Sequence, residues 1–201
     1  MRALRACVQP CCSHASQEGY SMKRRLFMGA ILGVSLISPL TTHAHGPTPQ
    51  KVDESVTVSA PPDKVWAIVK DFGGVGKWDS QFTTVTFKND KDQGQERTLT
   101  LKSGKKIVEG LDFIDENAKQ IGWRRVDDDV TALPVSSYNV KLTVTPDGSG
   151  SKITWDGRFY RGDTGNEPPD NLNDAAAVSA MTTMIKTGLG NLKDYIGKNV
   201  K

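Results

Sequence analysis

Beyond residue 44 the sequence holds no cysteine and one histidine, His45. Cys7, Cys11 and Cys12 all precede that point, as do His14 and His43. Beyond His45 the chain therefore lacks the groups for a Ser-His-Asp or Cys-His nucleophile. It equally lacks a zinc site built on imidazole or thiolate. His45 reads as an ordinary terminal residue rather than a copper ligand, so no metal and no cofactor is expected. No glycine loop leads from a strand into a helix at phosphate-binding spacing. Gly73-Gly74-Val75-Gly76 follows a helical stretch and reads as a turn. Aromatics make up only 7% of the chain, so any pocket they line must draw on most of them. The apolar run 26–40 has 15 residues, short of the ~20 that cross a bilayer as a helix.

What the start of the chain does have is an export pattern. Met22-Lys23-Arg24-Arg25 is basic, residues 26–40 are apolar, and Thr42-His43-Ala44 is a small-residue cleavage site. The expectation is a leader cut after Ala44, a periplasmic mature protein and no stable membrane span. Met22 is the expected start, residues 1–21 being an upstream misreading or a long leading region. Arg24-Arg25-Leu26-Phe27 also resembles a twin-arginine signal, and both export routes stay open. Residues 1–44 are thus upstream segment plus leader, and 45–201 one domain of 157 residues, large enough to bury a full core without disulfides. Five of the 26 Lys and Arg and one of the 23 Asp and Glu precede the cut, leaving 21 basic against 22 acidic groups, a formal charge of −1. That balance argues against nucleic acid as a partner. Asp127-Asp128-Asp129 reads as a solvated loop, with no glycine-centred calcium loop after it.

Val52, Glu54, Val56 and Val58 alternate with polar neighbours, the period of a strand. Pro61-Pro62-Asp63 opens a helix, since proline fits the first turn and Asp favours its positive end. Val65, Trp66, Ile68, Val69 and Phe72 give it an apolar face, and the glycine run ends it. Further strands are expected over 83–88, 96–101, 106–114, 120–126, 137–145 and 152–160, separated by turn residues. Such short links make an antiparallel meander. A long last helix, capped by Asn171 or Asn173, carries Val178, Met181, Ile185, Leu189, Leu192 and Ile196 at helical spacing. Gly188 and Gly190 each weaken it by about 1 kcal/mol against Ala, so either something passes close there or the helix bends. This order is an α+β layout. One helix covers the buried face of an antiparallel sheet only if the sheet curls. A curled sheet of six to seven strands around a long C-terminal helix leaves an internal cavity.

The densest polar constellation lies in the second hairpin. Arg97, Leu99 and Leu101 alternate on one strand, and Ile107, Glu109, Leu111 and Phe113 on the next. A loop Lys102-Ser103-Gly104, with glycine at the left-handed position, sets Arg97 opposite Glu109 on the inward face. A buried ion pair needs good geometry to offset its desolvation. Three readings fit: a structural pair at the cavity floor, an anchor for a polar ligand group, or an acid/base pair. No catalytic residue is assigned. The expected cavity lining is Trp78, Arg97, Leu99, Glu109, Leu111, Trp123, Tyr138, Trp155, Phe159, Met181 and Ile185. Arg161 and the 166–173 stretch with Pro168 and Pro169 form a long loop, expected to be exposed and to dock partners.

Several stretches together carry a family resemblance. They are Ala60-Pro61-Pro62-Asp63-Lys64-Val65-Trp66, Asp71-Phe72-Gly73, Leu133-Pro134-Val135, Trp155-Asp156-Gly157, Phe159-Tyr160-Arg161-Gly162 and Leu172-Asn173-Asp174. The chain resembles the START-like, polyketide-cyclase-related superfamily called SRPBCC, and within it the MxaD type of methanol-oxidising bacteria. The resemblance implies a helix-grip fold without cofactor. It also implies a periplasmic accessory role, assisting electron transfer from methanol dehydrogenase to cytochrome c. Relatives often carry His-Pro after the tryptophan matching Trp78, whereas this chain has Asp79-Ser80, which puts any role of that histidine in doubt here. The reading is a non-enzymatic protein holding a small apolar ligand or docking on methanol dehydrogenase or cytochrome c. The alternatives are a cyclase or dehydratase using Arg97, Glu109 and Tyr138, or a carrier of lipids.

Overall fold

The computed structural model describes residues 46–91 and 94–200. The expected leader, its cut after Ala44 and His45 lie outside the described residues. The elements are β1 (Gln50–Val58), α1 (Pro62–Val69), a 3-10 turn (Phe72–Lys77), β2 (Phe82–Asp90), β3 (Gly94–Leu101), β4 (Lys106–Asp115), β5 (Gln120–Arg125), β6 (Val135–Asp147), β7 (Gly150–Arg161) and α2 (Asp174–Asn199). The seven strands form one curved antiparallel sheet in the order β1-β7-β6-β5-β4-β3-β2. β1, first in sequence, pairs with the last strand, and α2 lies against both. This is the expected α+β helix-grip architecture, with its short helix after the first strand.

Local chemistry accounts for the joints. Gly104 and Gly148 have φ of +82° and +57°, values that glycine adopts without steric cost, and they turn the β3–β4 and β6–β7 hairpins. β6 and β7 run further into their turn than the alternation suggests, so that Asp147 pairs directly with Gly150. Asn173, not Asn171, caps α2, its Oδ1 accepting the Ala176 N–H at 3.0 Å. α1 stops at Val69, so Phe72 belongs to a separate 3-10 turn. The glycines there do more than terminate a helix. A Cβ on Gly73 would stand 2.9 Å from the Phe87 ring, and one on Gly76 3.0 Å from Val85. The turn is glycine-rich because it lies flat on β2.

The inward face departs from simple alternation at one point. A bulge between Leu111 and Phe113 shifts the β4–β5 register, and Phe113 comes to lie opposite Gly122. Phe113, expected to point inward with Glu109, is turned to the outer face, where its ring lies over Gly122 and stays 44% exposed. A bulge inserts one residue and so reverses the side-chain alternation beyond it.

α2 and the sheet interlock. A Cβ on Gly157 of β7 would stand 3.2 Å from the Ile185 Cδ1, and one on Gly188 of α2 would stand 3.0 Å from the Trp155 Cζ3. Each partner thus supplies a gap for a large side chain of the other. At Gly190 no such approach exists; nothing lies within 4 Å of its would-be Cβ. The two glycines therefore respond oppositely to the same substitution. Gly190→Ala stabilises the fold by about 1 kcal/mol through helix propensity. Gly188→Ala destabilises it by about 1–3 kcal/mol, because the buried indole has no room to retreat. Thermal denaturation of the two variants checks the prediction by the opposite signs of their Tm shifts.

Candidate functional site

The hairpin register holds as expected, and Arg97 lies opposite Glu109. The Arg97 Nε donates to Glu109 Oε2 at 2.6 Å. On its other oxygen Glu109 accepts the Trp123 Nε1–H at 3.0 Å and the Tyr138 hydroxyl at 2.5 Å. The Arg97 Nη1 donates to the Phe72 carbonyl at 2.8 Å. Its guanidinium carbon sits 4.2 Å from the Phe72 ring centroid and 4.9 Å from that of Trp123, placing the cation against two aromatic faces. Arg97 and Glu109 are 5% and 2% exposed. Their desolvation is offset by the ion pair and by the hydrogen bonds that fill both carboxylate oxygens.

Burial pushes the Tyr138 hydroxyl well above its usual range, and the Glu109 charge and hydrogen bond push it further. The hydroxyl is thereby held as a donor. An acid/base role needs a group that meets substrate, whereas Glu109 and Tyr138 meet each other.

The other expected lining residues are packed rather than presented. Leu99, Trp123, Trp155, Phe159, Met181 and Ile185 are all buried, and Leu111 is half-buried. Trp155 packs edge-on against Trp123 at 5.4 Å between centroids. The Ile185–Gly157 and Trp155–Gly188 contacts close the space between α2 and β7. The clefts that open to solvent lie outside this core. One of about 720 Å³ runs between the end of β1 and the last turns of α2, past Ser59, Pro61, Lys193 and Gly197. Of the expected lining residues, Trp78 borders an open pocket, one of about 140 Å³ beside α1 and Tyr195.

Arg161 is corrected most sharply. Expected on an exposed docking loop, it is 7% exposed at the end of β7. Its Nε donates to the Asp163 carbonyl at 2.7 Å, Nη1 to Asp174 Oδ2 at 3.0 Å and Nη2 to the Gly165 carbonyl at 2.7 Å. It ties the loop before α2 to the start of that helix and offers no charge to a partner. Pro169 is exposed and Pro168 half-buried, so the face left for docking is the outer part of that loop.

Two buried groups escaped the sequence reading. Arg125 donates to Val135 O at 2.8 Å, to Asp129 O at 2.7 Å and to Asp127 Oδ2 at 2.7 Å. The aspartate triplet is therefore an organised loop around a buried cation. Burial works against the Asp127 carboxylate, but the Arg125 hydrogen bonds outweigh it, with help from the Val108 N–H, and hold its pKa below the usual range. Asp79, noted only as a departure from the family pattern, is 1% exposed. It accepts the Gln81 N–H and Nε2–H, both at 3.0 Å, and the Asn191 Nδ2–H at 2.9 Å. Its spacing from Gln81, two residues on, is a local Asx-type pattern that points to a fixed carboxylate.

A family model described as polyketide cyclase / dehydrase and lipid transport matches residues 49–197. No curated protein matches significantly. Among solved structures, the protein XoxI from Bacillus cereus is 20% identical with a TM-score of 0.59, over 72% of this chain and 93% of its own. The Zhui aromatase/cyclase of a Streptomyces species is 17% identical with a TM-score of 0.61, over 77% and 97%. A norcoclaurine synthase point mutant from Thalictrum flavum is 13% identical with a TM-score of 0.58, over 77% and 98%. These likenesses concern the fold.

The Glu109 network yields two stability predictions. Glu109→Gln leaves the Arg97 cation buried without a counter-charge and destabilises the protein by about 3–5 kcal/mol, read from urea unfolding. Tyr138→Phe removes one donor to a charged acceptor and costs about 1.5–3 kcal/mol. Because the folded-state pKa of Tyr138 is raised, its contribution is fully present below the unfolded value of about 10 and is lost as pH rises above it. In the Tyr138→Phe variant this part of the alkaline loss is absent, which unfolding curves taken from neutral to strongly alkaline pH measure directly.

Proposed function

We propose that this chain, which belongs to the polyketide cyclase / dehydrase and lipid transport family, is a receptor for a small apolar ligand rather than an acid–base enzyme. One observation carries the reading: Glu109, the carboxylate best placed for chemistry, is filled by Arg97, Trp123 and Tyr138. The side chains packed between sheet and α2 are apolar, among them indole rings, Phe159, Met181 and Ile185, so a ligand that parts them meets hydrophobic surface. The fold is of a type that holds hydrophobic ligands. Among the described residues no helix is long and apolar enough to cross a membrane.

The finer reading is that the protein acts in the periplasm as an accessory to methanol oxidation, assisting electron transfer from methanol dehydrogenase to cytochrome c. The basic, apolar and small-residue order of residues 22–44 and the MxaD-type stretches around Arg161 and Asn173 support it. The outer part of the loop before α2, with Pro169 exposed, is the docking face in this reading.

Native mass spectrometry of the purified protein tests the receptor role, with a co-purifying small hydrophobe as the expected result. A ligand-free mass, together with no binding of added hydrophobes, overturns it. Affinity capture from the periplasm of methanol-grown cells tests the accessory role. Recovery of methanol dehydrogenase or cytochrome c is expected, and recovery of neither at low salt overturns that part alone.

A further inference from the structure

β2 ends the sheet on one side, and among the described residues no strand pairs with its outer edge. The direction of its backbone groups follows from the neighbouring hairpin. The Leu101 N–H donates to the Lys105 carbonyl at 2.8 Å, so Leu101 is turned toward β4. Backbone groups alternate sides along an antiparallel strand, which turns Thr100, Thr98 and Glu96 toward β2. Their partners there are Thr84, Thr86 and Lys88. The N–H and C=O groups of Val85, Phe87 and Asn89 are left pointing away from the sheet.

A strand edge of this kind pairs with another chain unless charge, proline, a bulge or a covering element blocks it. The other edge strand, β1, has such protection: it carries Lys51, Asp53 and Glu54, and α2 lies against it. β2 has little. Residues 82–87, Phe-Thr-Thr-Val-Thr-Phe, hold no charge, glycine or proline, and each is a good strand former. Its bulge lies between Phe82 and Thr84, ahead of the outward groups. Phe87 is 45% exposed, more than any other large apolar side chain among the described residues. Yet its ring is held, by the close backbone of Gly73 and by Phe72 edge-on at 6.4 Å between centroids. A fixed aromatic thus stands half in water at the middle of the three outward residues.

We propose that a second copy of this chain pairs here, β2 against β2, antiparallel about a two-fold axis at Phe87. A two-fold contact must be self-complementary, and this register is. Val85 faces the partner's Asn89, Asn89 faces the partner's Val85, and Phe87 faces the partner's Phe87. About six backbone hydrogen bonds form, and the exposed flanks of the two Phe87 rings meet. A shift of two residues either way sets one of the three outward residues opposite the bulge or beyond the strand. On the other face Thr86 stands opposite the partner's Lys88, and Thr84 opposite the partner's Asp90. No like charges face each other directly, and Lys88 has Glu96 beside it on its own sheet. The contact joins two sheets into one and is independent of the receptor reading.

Amide hydrogen exchange of the purified, unaltered protein tests this at ~20 μM and at ~1 mM, where even millimolar contacts are populated. The Val85, Phe87 and Asn89 amides are expected to slow about tenfold at the higher concentration. Those of Thr84, Thr86 and Lys88, already bonded to β3, exchange slowly at both. Outward amides that exchange equally fast at both concentrations overturn the proposal. Sedimentation equilibrium of three variants tests the register. Asn89→Pro removes an outward donor without touching the β3 ladder and is expected to weaken the dimer about tenfold, since two symmetric hydrogen bonds go. Thr86→Glu, opposite the partner's Lys88, tightens the dimer at low salt, and Thr86→Lys weakens it. A dimer that none of the three alters, or in which the two Thr86 variants act in the reverse order, overturns the β2 contact about Phe87. A protein that stays monomeric up to ~1 mM overturns it as well.

Discussion

One carboxylate, cut off from solvent, fixes the inner face of the sheet. Glu109 stands on β4 and is held by Arg97 of β3, Trp123 of β5 and Tyr138 of β6. Four adjacent strands thus meet at two oxygen atoms. A slip of one residue between any pair would carry a donor to the opposite face and leave a buried charge without its partner. Hydrophobic alternation alone specifies such a register weakly near a bulge, and the β4–β5 bulge lies just beyond Leu111. The network sits beside it and pins the pairing where the pattern of apolar residues changes face. The cation of the pair is held by aromatic rings as well as by charge, so its removal from water is offset from several directions.

Two further buried arginines repeat this device at smaller scale. Arg125 gathers the carbonyls of Asp129, Leu133 and Val135 around itself, and with Asp127 it organises the segment between β5 and β6. Arg161 gathers Asp163, Gly165 and Asp174 and fixes the loop that leads into α2. A planar fork with five N–H donors suits several carbonyls at once. Loops that would otherwise be free on the surface are tethered to the sheet through guanidinium groups rather than through covalent links. The interior polar chemistry of this chain is, in consequence, turned on itself, and the unpaired donors of Trp78 and Trp155 stand out against it.

The elements, their order and the Arg97–Glu109 pairing were legible in the sequence, because each rests on local chemistry. Period-two alternation, a glycine at a left-handed turn position and a helical stripe are all visible within a dozen residues. What was not legible depends on contacts between distant segments. Phe113 reads as inward until the bulge turns it out, and nothing in its own neighbourhood announces the extra residue. Arg161 reads as a loop cation, since its acceptors at Gly165 and Asp174 become neighbours only when the loop folds back. Arg125 carries no local sign of burial, and only the curl of residues 127–135, which brings the carbonyls of Asp129, Leu133 and Val135 to it, shows why it is buried. Packing density is the least legible of all. A curled sheet around a helix implies room between them, yet Gly157 and Gly188 let each surface sink into the other. Gly188 and Gly190 together suggest either a close approach or a bend, and composition does not tell that the approach is made at Gly188 and not at Gly190.

That mutual sinking has a consequence for how the chain tolerates change in length. Ile185 and Gly188 lie within one turn of α2, and their counterparts Gly157 and Trp155 are two residues apart on β7. The helix is thereby keyed in both rotation and advance, like a bolt seated on two lugs. Each residue inserted into a helix turns everything after it by about 100°. An insertion in the loop ahead of Asn173 is taken up by slack backbone, whereas one between Ile185 and Gly188 disengages a lug. Homologous chains of different length are therefore expected to differ ahead of the final helix and to keep the same count of residues between its two seats.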